Sequence, residues 1–110
     1  MPRSSRGSSR ATGSPQALDL LMQLLSIPGP SGQEGEVAQF VRHQLLTAGA
    51  RPEWIRTDAA HRRTRIRGQT GNLVLRLPGT RRGPRRLLMA HLDTVPICVG
   101  ARPVRRAGLI

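Results

Sequence analysis

The segment "RRLLMAHLDTVP", Arg85 to Pro96, constrains the fold of this chain more than any other stretch. Leu87 to Ala90 make an apolar run with the look of a buried strand, and the run ends in His91, with Asp93 two residues on and Pro96 closing the segment. A buried strand needs a sheet around it. In open α/β sheets the carboxyl ends of the strands are where ligands bind and chemistry takes place, so His91 and Asp93 mark a candidate site. Residues i and i+2 at a strand end point to the same side, so the Asp93 carboxylate can reach the cavity that the imidazole faces. A carboxylate accepting a hydrogen bond from one ring nitrogen fixes the tautomer and makes the other nitrogen a better metal ligand.

Upstream, the sequence offers elements to surround such a strand. Met1 to Gly13 is polar and rich in Gly, Ser and Arg, which predicts a disordered basic tail over 1–13 and a folded unit over 14–110. Ser14 followed by Pro15 signals a helix start, and Leu18, Leu21, Met22 and Leu25 recur at helical spacing. The "SIPGPSG" segment ends that helix, because Pro28 and Pro30 each lack a backbone donor and bias the preceding residue away from helix. Ser31 and Glu34 fit a capping box, which predicts a second helix starting there, with Val37, Phe40, Val41, Leu45 and Ala48 as its buried stripe and Gly49 as its C-terminal stop.

Beyond Ala50 the pattern changes to short strands. "PEWIRT" is one candidate, and "GNLVLRLPG" is another, with Leu73, Leu75 and Leu77 alternating with Val74 and Arg76. The basic turn "TRRGPRR" makes Asn72 to Leu77 and Arg85 to His91 antiparallel neighbours. The expected fold is α/β, with two amino-terminal helices packed on part of a mixed β-sheet.

Composition limits how much of a fold this can be. The chain has 110 residues, 37% of them hydrophobic, with one Trp, one Phe and no Tyr, so any core is aliphatic and small. That is what part of a larger fold looks like. The net charge of +12 comes from 18 basic residues that are all Arg, a pattern of coding bias more than of a selected binding patch. Single-strand binders interleave cations with aromatic platforms, which are nearly missing here, so no specific nucleic-acid partner is expected. A small arginine-rich nucleic-acid-binding module, with the "HLD" incidental, is the alternative function class. No apolar run approaches the roughly 20 residues of a membrane span, and Asp19 and Gln23 interrupt the segment nearest to a targeting signal. Cys98 is the only cysteine, which excludes an internal disulfide and fits a reducing cytoplasm; it is expected to be a small buried side chain. His43 and His61 lie in polar or basic surroundings and are expected to be solvated.

Three segments together, "LLSIPGPSGQEGEVAQFV", "GNLVLRLPGT" and "LLMAHLDTVP", resemble the M20 metallopeptidases, a family that includes tripeptide aminopeptidases and related amidohydrolases. The likeness runs from about Leu18 to Pro96, with "GARPVRR" continuing it. It implies an incomplete zinc-peptidase catalytic domain, in which His91 is a ligand to one of two zinc ions and Asp93 is the catalytic-site residue that supports it. It also implies hydrolysis of a peptide or small amide by a metal-activated water. The family's other metal ligands and its Glu general base follow the H-x-D motif, so the remainder of the catalytic domain is expected downstream, and the chain alone is expected to be inactive.

Overall fold

Pro15 starts the first helix, α1 (Pro15–Ser26), because its fixed φ suits the first turn and its missing N–H has no partner to lose there. The computed structural model describes residues 14–110; the tail expected over Met1–Gly13 lies outside the described residues. Ser14 occupies the cap position, but its hydroxyl turns to the Gln16 side chain instead of the helix backbone. No residue of α1 is buried; Leu18 and Met22 are half-covered, and Leu21 and Leu25 are exposed.

The second helix, α2 (Gly35–Thr47), begins three residues later than expected, with Glu34 and not Ser31 at its cap position. The capping box does not form. Glu34 Oε1 accepts from the Gly32 N–H at 2.8 Å and not from that of Ser31, and the Ser31 hydroxyl is engaged elsewhere. The Gln69 side chain instead accepts from the first helical N–H, that of Gly35, at 3.1 Å. At the other end Gly49 (φ +103°) makes the left-handed stop that the sequence predicts. Its N–H donates to Leu46 O at 3.0 Å and the next, Ala50, donates to Leu45 O at 2.9 Å, the Schellman pattern. A Cβ there would meet nothing within 4 Å, so Gly49→Ala carries only the backbone cost of a positive φ. It is expected to destabilise by about 1–2 kcal/mol, read from the thermal unfolding midpoint.

Two strands follow, β1 (Ile55–Thr57) and β2 (Leu73–Leu75), paired antiparallel with Ile55 opposite Leu75 and Thr57 opposite Leu73. Among the described residues, the buried apolar side chains are Val37 and Ala38 of α2 and Ile55 of β1. The α/β architecture of two helices and a small sheet is thus as expected, with α2 alone contributing buried helical residues. A parallel bridge, Pro30 to Thr94, adds a second direction of pairing.

The segment Arg85 to His91 is not a strand, contrary to expectation. β2 pairs with β1 and not with this segment, and Leu87, Leu88 and Met89 are 79%, 95% and 84% exposed. A run apolar on both faces is stable as a strand only when both faces are covered, and no described element covers either one. The connection before it, with Arg81, Arg82, Arg85 and Arg86 around Gly83-Pro84, also resists a tight hairpin through like-charge repulsion and the missing Pro84 donor.

The β1–β2 pair is closed by Asp58. Its Oδ1 accepts from the backbone N–H groups of Asn72 at 2.8 Å and Ala60 at 3.0 Å, and its Oδ2 accepts from the Asn72 side-chain amide at 2.9 Å. These donors, the Asn72 amide foremost, hold the Asp58 carboxyl below the ordinary carboxylate range. Because the folded chain prefers the ionised form, the clasp contributes fully above the unfolded-state value and is lost as pH falls through the lower folded-state value. Asp58→Asn should therefore be less stable than wild type near neutral pH. The gap should close in acid below about pH 4, as denaturation midpoints across that range will show.

Candidate functional site

Three segments meet around one cavity of about 460 Å³: the α1–α2 connector, the loop that leads into β2, and the "AHLDT" stretch. The connector is tied to the last of these by backbone pairing. Thr94 N–H donates to Gly29 O at 2.7 Å, and Gly29 N–H donates to the Thr94 hydroxyl at 3.1 Å. Gly29 is itself buried, and a Cβ on it would come within 3.0 Å of Val37 Cγ1, so α2 presses the connector against the site. On the far side Gln69 N–H donates to Gly32 O at 3.0 Å, and Gly68 lies against the Gly32 backbone.

His91 and Asp93 both line this cavity, although the strand end from which their same-side placement is expected does not form. The His91 Nδ1 lies 2.8 Å from Asp93 Oδ1 and 3.0 Å from the Asp93 backbone carbonyl. A carbonyl carries no proton, and the carboxylate is ionised at neutral pH because the Ser31 hydroxyl, and then the His91 ring, hold its pKa below the usual range. The partners therefore assign the proton: Nδ1 is the donor, and in the neutral imidazole Nε2 keeps a lone pair. The ring is well exposed, so that lone pair is open to a ligand.

An imidazole with one nitrogen pinned by a carboxylate and the other open fits the part of one metal ligand. A catalytic zinc takes three protein ligands and an open position, and among the described residues no three His, Cys, Asp or Glu side chains come together to hold an ion. What the described residues bring together is one imidazole and the carboxylate that holds its Nδ1.

The other candidates separate. His43 is exposed on α2, as expected. His61, expected in a solvated loop, is half-buried in the 3-10 turn Ala60–Arg63 and lines the cavity, its Nδ1 buried without a hydrogen-bond partner among the described residues. Cys98, expected buried, is exposed in the turn Pro96–Cys98. Ser31 is the site residue that spacing could not reveal. Its hydroxyl donates to Asp93 Oδ2 at 2.6 Å, across 62 residues of sequence. A charged acceptor makes the stronger hydrogen bond, which is why the hydroxyl serves Asp93 and not the end of α2.

Over 81 residues the chain is 31% identical to a protein of Bacillus subtilis (strain 168) described as "Putative aminopeptidase YhfE". The match takes in 73% of this chain and 19% of that protein, so the chain spans about a fifth of the length of the relative it matches. No family model matches the sequence, and no solved structure matches it. The similarity is to a peptidase and goes no finer than that. Among the described residues no helix is long and apolar enough to cross a membrane.

Proposed function

We propose that this chain carries the amino-terminal part of a metal-dependent peptidase of the M20 type, acting on a peptide or small amide, with His91 as a zinc ligand and Asp93 as the residue that orients it. The observation that carries the reading is the His91 ring held at Nδ1 by the Asp93 carboxylate, in an exposed side chain that lines the cavity. The peptidase similarity, which covers most of the chain, supports it. A zinc ion bound there would supply Lewis acidity toward a carbonyl and toward water. The chain's own contribution is orientation. Asp93 keeps the Nδ1 proton in place and so keeps the Nε2 lone pair aimed, while the glycine-lined connector holds Asp93 through Ser31 and Thr94. Neither a specific nucleic acid nor a membrane is part of this reading.

One imidazole is a weak metal site, so the 110-residue chain should bind zinc more weakly than about micromolar and hydrolyse no peptide. Calorimetric zinc titration of the chain and of His91→Ala tests this. Weak binding that disappears in the variant supports the assignment. Binding left unchanged by the substitution rejects His91 as a ligand, and a stoichiometric micromolar site would show a full ligand set within these residues.

A further inference from the structure

We propose that Ser31 is a positioning residue for the His91 imidazole, acting through Asp93. The inference rests on the reading of His91 as the ligand-presenting group and adds the part that makes its orientation definite. The Asp93 carboxylate divides its two oxygens, Oδ1 to the His91 ring at 2.8 Å and Oδ2 to the Ser31 hydroxyl at 2.6 Å. The terminal torsion of an aspartate is soft, and the Asp93 side chain is 36% exposed, so a carboxylate held only by a ring two residues away can swing to water. A second hydrogen bond, from a distant part of the chain, fixes its plane.

Ser31 is suited to that task because its own position is set by backbone. It lies between Pro30, bridged to Thr94, and Gly32, whose φ of +88° favours glycine and whose Cβ would strike Ile66. α2 does not need the hydroxyl, since Gln69 takes its first N–H. The order of contacts also excludes a nucleophilic serine. In a Ser-His-Asp array the hydroxyl faces the imidazole, which can take its proton. Here the hydroxyl faces the carboxylate, and the imidazole lies on the other side of it.

The test is nitrogen-15 NMR of the His91 ring in the 110-residue chain, at a pH above the imidazole titration, where the two neutral tautomers are distinguished by their ring-nitrogen shifts. Wild type should show mainly the Nδ1–H form. Ser31→Ala and the near-isosteric Ser31→Cys, whose thiol is a weak donor, should lower the ratio of Nδ1–H to Nε2–H about 2- to 10-fold, the equilibrium equivalent of one hydrogen bond. Ser31→Thr, which keeps a hydroxyl, should retain the ratio. Should Ser31→Ala fail to fold, the Cys and Thr variants still decide: equal ratios in the two overturn the proposal. Asp93→Ala separates the two levels of the argument. A ratio lowered by Asp93→Ala but untouched at Ser31 overturns the Ser31 inference alone, and a ratio untouched by Asp93→Ala overturns the His91–Asp93 reading beneath it.

Discussion

In a product of the same reading frame that carries the remaining ligands, His91→Ala is expected to abolish peptide hydrolysis and to lower the zinc content at one position. The expectation follows from the proposed role of this ring as a zinc ligand through the nitrogen that Asp93 leaves free. Asp93→Asn should behave differently. An amide has the shape of the carboxylate but one acceptor oxygen instead of two, so the Ser31 hydroxyl and the His91 Nδ1–H can no longer both donate to it. Losses at residues that orient a ligand run to about 10–100-fold in affinity or activity, so turnover should fall by that amount while most of the metal remains. Metal analysis and initial rates on both variants make the comparison, with a substitution at exposed His43 as the control. Wild-type rates in both site variants, or an equal loss at His43, would reject the pair.

What could be read from the sequence was what depends on near neighbours. Pro15 at a helix start, Gly49 at a helix end and the alternation of Leu73 and Leu75 are local in cause, and all three are as expected. The His91–Asp93 pair was legible for the same reason, being two residues apart. The features that departed from expectation are those decided across the chain. Ser31 has the spacing of a cap to Glu34, yet a carboxylate 62 residues away is the better acceptor. Leu87 to Ala90 have the composition of a buried strand, but burial requires neighbours on both faces, and local pattern does not supply them. His61 moved from an expected solvated loop to the cavity wall because the loop from Asp58 to Asn72 is gathered at its ends by the Asp58 clasp.

That clasp also sets the second large expectation, for Gly71→Ala. A Cβ on Gly71 would collide with the Asp58 backbone carbonyl and with its Oδ1, the atom that accepts from the Ala60 and Asn72 N–H groups. A clash with backbone cannot be relieved by a rotamer change. Either Asp58 moves, giving up its bonds to Asn72 together with the return bond from Asp58 N–H to Asn72 O, or the loop before β2 moves and the pairing of Thr57 with Leu73 goes with it. Both outcomes reach Ile55, one of the few buried side chains, because its place depends on the β1–β2 register. The thermal midpoint should fall by more than about 10 °C, beyond what an average substitution causes in a domain of this size. Gly79→Ala is the matched control, since its Cβ would meet nothing within 4 Å, and losing a glycine's freedom in the unfolded chain leaves stability unchanged or slightly raised. Equal midpoints for the two alanine variants would show that the Asp58–Asn72 clasp does not hold the strand pair together.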